Sequence, residues 1–334
     1  MTKQESQIMK GVAIIMMLIL HLFGKTNVGY MSVLEIGTEP IEYILRSAVN
    51  PVSFFLILSG YGMHYIFKSG KNDHKWSRIL KLYVHWWVAI LIFTILGGLI
   101  GIRHYYTDFN SVIANYTGYK CTWNYEGWFL FPYVGLMLVS SWIFRVVDKI
   151  RSKYVVFCML LLGLCLGFVV SRYRDVLNGL IDNPLFAMFS LLPAFVIGSV
   201  FHREQIVSKV QNRNLQPFVC VALLLFLIVV VCTIGSAAMN TIYAMLFIVL
   251  FLAFPRWRFV DNVLAFLGNH SMNIWFTHTW FSNYLFHEQI YSLKYSVVIL
   301  IVVLLLSLAS SYLINCIVEG VLTVGKALSW VNRK

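Results

Sequence analysis

The chain has 334 residues, of which 59% are hydrophobic and 12% charged, with a formal net charge of +12 and a mean hydropathy of +0.76. Soluble domains are about a quarter charged and less apolar, so this composition excludes an ordinary soluble protein and predicts an all-α protein that crosses the membrane several times. Runs that are apolar on every face exclude a spanning β-barrel, and basic residues that lie between such runs give no reason to expect nucleic acid. The six cysteines form no CxxC pair or His/Cys cluster, so we expect neither a metal site nor a disulfide framework.

Ten segments are long and apolar enough to be membrane spans, each of which needs about 20 residues. They are predicted at about 8–24, 44–67, 79–102, 126–145, 154–171, 184–201, 217–235, 238–254, 262–286 and 295–322. Most of the lysines and arginines then lie on one side of the membrane, which predicts that both termini are cytoplasmic. We expect one membrane domain over 1–334, without a fused soluble domain and without a cleavable signal at its start.

The first predicted span contains the stretch "KGVAIIMMLILH", which begins with Lys10 and ends with His21. Eleven residues separate the two side chains, so on a straight helix they lie ~16 Å apart along the axis and project from about the same face. An ionisable residue inside a span is costly and by default marks a functional site. The alternative is structural: Lys10 would anchor the helix at the interface, and His21 would be a hydrogen-bonded packing residue.

The second predicted span contains Ser59 and Gly60, small residues that let a helix or a ligand approach the backbone closely. The loop after it is the most basic segment of the chain and places Lys75, Arg78 and Lys81 on one broad side of an entering helix. These cations are suited to an anionic cytoplasmic ligand, although topology and lipid headgroups also explain them.

Polar residues also occur at two later spans. In "CTWNYEGWFLFPY" an aromatic belt explains Trp128 but not the carboxylate of Glu126, whereas a sugar site uses both. The ninth span, "LGNHSMNIWFTHTWF", contains His270, Asn273 and His278, and its two histidines are ~12 Å apart on one face. So much polarity in one span is difficult to explain by structure alone.

These motifs together resemble the membrane acyltransferase-3 superfamily, particularly its single-domain, fucose 4-O-acetylase-like branch. The family's first span has a basic residue, ten intervening residues and a histidine, as at Lys10 and His21, although most members have arginine at the first position. "PVSFFLILSGYGM", "HKWSRILKLY", "WFLFPY" and "FLGNHSMNIWFTHTWF" are similar to the family's later motifs in order and spacing. The resemblance implies O-acyl transfer, usually of acetyl, from cytoplasmic acyl-CoA to a hydroxyl of an extracytoplasmic or lipid-linked glycan.

The resemblance also implies a role for each candidate residue. His21, assisted by Lys10, would be a general base or a transient acyl carrier. The acyl-CoA would be bound by Lys10, Lys75, Arg78, Lys81, Ser59 and Gly60, and the acceptor by Glu126, Trp128, His278 and Asn273. We expect a multi-pass protein among the lipids of a bacterial plasma membrane, with any second transfer step supplied by a separate extracytoplasmic protein.

Two other classes stay open on the sequence alone. A transporter of a glycan or lipid-linked intermediate would use His21 as a proton relay, and a non-catalytic relative would act as a sensor or scaffold.

Overall fold

The computed structural model describes residues 1–24, 29–70, 74–101, 105, 108–173, 176, 178–181 and 183–331. Its α-helices are α1 Lys3–Phe23, α2 Ile41–Ile44, α3 Pro51–Lys68, α4 His74–Leu99, α5 Phe109–Thr117, α6 Leu130–Val147, α7 Ser152–Arg172, α8 Asn178–Ile181, α9 Pro184–Arg203, α10 Ile206–Gln211, α11 Pro217–Ile234, α12 Asn240–Ala253, α13 Arg258–Thr279, α14 His287–Tyr291 and α15 Ser296–Val331. Short 3-10 turns cover Leu45–Ser47, Tyr125–Phe129 and Ala237–Met239, and a π-helix covers Trp280–Leu285. Two short antiparallel strands, β1 Glu35–Ile36 and β2 Glu39–Pro40, form a hairpin before α2.

Seven helices within the described residues are long and apolar enough to cross a membrane, which makes the chain a multi-pass membrane protein. They are Lys3–Phe23, Lys75–Leu99, Tyr125–Val147, Ser152–Arg172, Pro184–Arg203, Pro217–Ile234 and Ser296–Thr323. An eighth span is formed if Ile41–Ser47 and Pro51–Lys68, which meet at 45°, are counted as one. The segment Ala237–Ala253 is apolar but short, and α13 is not among the apolar helices because its sequence is too polar. Each of the ten predicted spans nevertheless contains a helix.

Three differences between the helices and the predicted spans have a local reason. The first helix begins at Lys3 rather than residue 8, because Thr2 and Glu5 form a capping box that satisfies its first backbone N–H groups. The second span does not run straight from residue 44, because the chain bends before Pro51, which starts α3 with a pre-set φ angle. The ninth is not one continuous α-helix, since α13 ends at Thr279 and the π-helix follows.

Helices α1 and α13 pack closely and run in the same direction. A Cβ atom on Gly11 would lie 2.0 Å from the backbone oxygen of Leu264, and one on Gly268 would lie 1.9 Å from the backbone oxygen of Gln7. Only glycine permits so close an approach of the two backbones. This crossing fixes α13 beside α1 over the length of both helices.

Candidate functional site

The C-terminal end of α1 brings His21 next to a carboxylate from a distant part of the chain. His21 Nε2 lies 3.3 Å from Glu126 Oε2, and the two side chains are 23% and 14% exposed. Glu126 belongs to the 3-10 turn Tyr125–Phe129, which leads directly into α6. At this distance the carboxylate can accept a hydrogen bond from an imidazole N–H, which favours the tautomer with the proton on Nε2 and the basic lone pair on Nδ1. The pair can therefore take up a proton and stabilise the imidazolium that results.

A second imidazole completes the cluster from α13. The ring centroids of His21 and His278 are 5.1 Å apart. His278 Nδ1 lies 3.0 Å from the backbone oxygens of both Ile274 and Trp275, which only accept, so Nδ1 is the protonated nitrogen of the ring. Within the described residues the buried Nε2 atom of His278 has no hydrogen-bond partner. We call His21, Glu126 and His278 the histidine–glutamate cluster.

A buried asparagine holds Glu126 in place. The Oδ1 atom of Asn124 accepts hydrogen bonds from the Glu126 backbone N–H at 3.2 Å and from Thr279 Oγ1 at 3.1 Å. Its Nδ2 atom donates to the backbone oxygen of Phe276 at 3.3 Å, and Trp275 Nε1 donates to the Glu126 backbone oxygen at 3.0 Å. The turn that carries Glu126 is thus attached to the same helix that carries His278. The sequence analysis missed Asn124 and Trp275; an asparagine just before the turn, where N-caps occur, was the available signal.

In the first half of α1, Lys10 lies near a second cation. Lys10 and Arg78 are close enough to interact electrostatically, and Arg78 acts in the same way on Tyr133. Tyr133 Oη lies 2.7 Å from Ser59 Oγ. We call Lys10, Arg78, Tyr133 and Ser59 the basic cluster. The two like charges repel each other, so an anion between them would be stabilised.

The other two predicted cations lie near this end without joining the basic cluster. Lys75 donates a hydrogen bond of 3.0 Å from Nζ to the backbone oxygen of Leu138. Lys75 and Arg78 line a shallow pocket together with Ser140 and other residues of α3 and α6. The side chain of Lys81 is exposed on the surface of α4. The roles of all three in donor binding stay predictions.

Three further candidate residues make contacts with other parts of the chain. Gly60 packs against α9, since a Cβ atom there would lie 1.9 Å from the backbone oxygen of Phe195. Asn273 is buried and accepts from or donates to His85, Ser311 and Asn315, which ties α13 to α4 and α15. Trp128 is half-buried, and its ring packs edge-on against Phe129 at 5.9 Å. Neither Gly60 nor Asn273 needs a ligand to explain its position.

In the described part of the chain, no group of three or more His, Cys, Asp or Glu side chains is arranged to hold a metal ion. All six cysteines are free thiols. The histidine–glutamate cluster contains two imidazoles and a carboxylate, which are groups that can act as acids and bases.

A helical membrane protein with an imidazole–carboxylate centre at one end and paired cations at the other has the parts of a group-transfer enzyme. The family described as an acyltransferase domain matches residues 4–316, nearly the whole chain. The chain therefore belongs to the acyltransferase-3 family and is a membrane acyltransferase. No curated protein and no solved structure is similar enough to the chain to count as a match.

Proposed function

We propose that this protein transfers an acyl group, most simply acetyl, from cytoplasmic acyl-CoA to a hydroxyl of an extracytoplasmic or lipid-linked glycan. The observation that carries the proposal is the 3.3 Å contact between His21 and Glu126 beside His278. An imidazole paired with a carboxylate is suited to removing a proton from a hydroxyl group. The motifs of the fucose 4-O-acetylase-like branch support a sugar hydroxyl as acceptor, and a bacterial plasma membrane is the expected location.

The basic cluster supports acyl-CoA as the donor. Lys10 and Arg78 are neighbours of the same charge. The negatively charged phosphates of CoA would attract both side chains and offset their mutual repulsion. Lys10 is eleven residues before His21 on α1, so a donor held by the basic cluster would have ~16 Å of helix along which to reach the histidine. Lysine binds phosphate as a point charge, which suits Lys10 to attraction more than to a fixed bidentate grip.

The acceptor hydroxyl would react at His21. As the hydroxyl oxygen attacks the thioester carbonyl carbon, His21 Nδ1 takes its proton and Glu126 stabilises the imidazolium. The carbon–sulfur bond then breaks, and the proton passes from His21 to the leaving thiolate, which departs as CoA-SH. His21 as a transient acyl carrier would use the same atoms in two steps. Trp128 and the buried Nε2 atom of His278 are the candidates to orient the acceptor.

We also propose that all ten helical segments cross the membrane, with both termini cytoplasmic. Gln7 lies near Gly268, and His21 lies near His278, so α1 and α13 run in the same direction. Two spans of the same direction need an odd number of crossings between them, and the bent pair, the five long helices α4, α6, α7, α9 and α11, and the short α12 make seven. In intact cells, a membrane-impermeant thiol reagent should label a cysteine introduced at Lys120 but not one at Lys153.

The proposed function is tested by acetyl-CoA turnover of the purified protein in liposomes with a mixture of acceptor sugars. We expect His21→Ala and Glu126→Gln to lower CoA release by about 10²–10⁴-fold, the range of general acid–base catalysis, while both variants still bind CoA. His287→Ala is the matched control, because His287 is an exposed histidine on α14.

Full turnover by His21→Ala would show that His21 is not the base. If the wild type consumes neither acetyl-CoA nor longer acyl-CoAs, the protein is not an acyl-CoA transferase, and a transporter becomes the better account.

A further inference from the structure

A groove of about 550 Å³ lies on α5 and the turn that follows it, outside the histidine–glutamate cluster. This volume is typical of sites that bind small organic molecules. The groove is lined by Asn110, Ser111, Ile113, Ala114, Asn115, Thr117, Tyr119, Lys120, Thr122 and Phe131. It lies at the end of the molecule where Glu126 meets His21, since only a short turn separates it from Glu126. We call it the α5 groove.

The lining combines amide and hydroxyl groups with aromatic and aliphatic carbon. Tyr119 and Phe131 pack edge to face at 5.3 Å, and Tyr119 is 50% exposed. A sugar ring presents hydroxyls at its edge and C–H groups on its face, so it needs both kinds of partner. A lipid tail cannot use the hydroxyls and amides. Among the described residues that line the groove Lys120 is the only cation, fewer than a highly charged ligand would need.

The floor of the groove is built rigidly. Asn115 is 1% exposed, and its Nδ2 atom donates to the Ser111 backbone oxygen at 2.8 Å and to Thr122 Oγ1 at 3.0 Å. Its Oδ1 atom accepts the Trp123 backbone N–H at 2.9 Å. A preformed floor lowers the entropy that a ligand loses to ordering on binding.

Helix α4 holds the C-terminal end of α5 in place. Trp86 and Trp87 donate through Nε1 to the backbone oxygens of Asn115 and Tyr116, at 3.0 and 2.9 Å. Tyr83 Oη donates to the backbone oxygen of Thr117 at 3.0 Å. Three side chains of one membrane helix thus satisfy the C-terminal carbonyls of a nine-residue helix, and the end of α5 is fixed against the middle of the span Lys75–Leu99.

The α5 groove is close along the chain to the proposed catalytic site. Thr122 is part of its wall, and only four residues further along the chain Glu126 contacts His21. Four residues span at most ~15 Å between Cα atoms. A short oligosaccharide could therefore occupy the groove with one of its sugars and the histidine–glutamate cluster with another.

We propose that the α5 groove binds the non-reacting sugars of an oligosaccharide acceptor; this inference rests on the proposed function above. The protein would thus select acceptors of more than one sugar, whether free or attached to a lipid carrier. The reacting sugar alone would be bound weakly.

The test is binding of the full-length protein in nanodiscs to a printed array of hydroxyl-rich oligosaccharides of defined length. The variant is Tyr119→Ala/Lys120→Ala, two adjacent exposed residues of the groove. Its matched control is Lys153→Ala/Tyr154→Ala, an exposed Lys–Tyr pair at the start of α7. We expect the groove variant to bind at least one array oligosaccharide about 10–100-fold more weakly than the wild type, since each of the two lost contacts costs up to about a factor of ten. The control should bind as the wild type does.

Binding does not require catalysis, so the array result separates this inference from the proposed function. Array binding that is lost in the groove variant supports the α5 groove even if no acyl-CoA is consumed. Wild-type protein that binds no oligosaccharide, or a groove variant that binds as well as the control, overturns it. Repeating the comparison with the bound oligosaccharide on a polyprenyl carrier in the nanodisc tells whether free or lipid-linked acceptors are preferred.

Discussion

A single methyl group at Gly268 should impair catalysis at a distance. Gly268→Ala would place its Cβ 1.9 Å from the backbone oxygen of Gln7, where ordinary contact begins at 3.4 Å. Either α1 or α13 must therefore move by about 1.5 Å at the crossing. Backbone atoms cannot rotate away as a flexible side chain can, so the two helices must separate or slide.

The size of the expected fall in rate follows from the two histidines that these helices carry. Gly268 is ten residues before His278 on α13, which is ~15 Å along the helix, and α1 carries His21. A displacement of about 1 Å at reacting groups can cost ~100-fold in rate even when the mutation is remote. We expect kcat to fall by about this factor. Helix propensity acts the other way, because alanine favours a helix by about 1 kcal/mol over glycine, so weakening of α13 itself would not explain the loss.

The assay is single-turnover transfer from radiolabelled acetyl-CoA by protein in nanodiscs, with thermal stability measured on the same samples. Gly320→Ala is the matched control, because a Cβ atom there meets nothing within 4 Å. The reasoning is refuted if Gly268→Ala is as active as Gly320→Ala, since the crossing would then tolerate a methyl group without moving the histidines.

Two further predictions concern the end of the molecule that carries the basic cluster. Arg78→Ala should raise KM for acyl-CoA about tenfold with little change in kcat, as expected for loss of a charged contact, whereas the exposed Lys149→Ala should not; equal KM values would remove Arg78 from the donor site. Partial burial raises the pKa of Asp148, but hydrogen bonds from Lys68 and a neighbouring histidine outweigh it and leave the pKa below its usual value. The carboxylate then stabilises the fold above its unfolded-state pKa of about 3.9, and this stability is lost as the pH falls further. Asp148→Asn should accordingly lower the thermal stability more at pH 7 than near pH 3, and an equal deficit at both pH values would contradict the assignment.

The sequence predicts which residues belong to the site better than it predicts which of them lie next to each other. Lys10 and His21 are detectable because ionisable groups are rare and costly inside a span, and Glu126 because an aromatic belt leaves a carboxylate unexplained. The sequence analysis assigned Glu126 to the acceptor, however, whereas the structure pairs it with His21. That pairing joins residues 105 positions apart, which no local periodicity reveals.

Helix packing accounts for two residues whose role the sequence pattern does not decide. Gly60 and Asn273 were predicted to bind ligands because small and amide side chains suit both ligand sites and helix contacts. The structure gives Gly60 a close approach to α9 and gives Asn273 a polar network across three helices. Conversely, Gly11 and Gly268 were not singled out, because a glycine in an apolar segment carries no sign of which other helix it will meet.

Helix α1 explains why these scattered signals form one site. It contributes to both named clusters, with Lys10 in its first half and His21 near its C-terminal end. The span Tyr125–Val147 does the same through Tyr133 and Glu126. A rigid helix fixes the separation of the two groups, and its glycine crossing with α13 fixes the second histidine relative to the first. The turn held by Asn124 then adds Glu126 from a third segment. A donor bound at the cations and an acceptor bound at the opposite end would thus meet at His21 without any large movement of the helices, which is what a transfer across the membrane barrier requires.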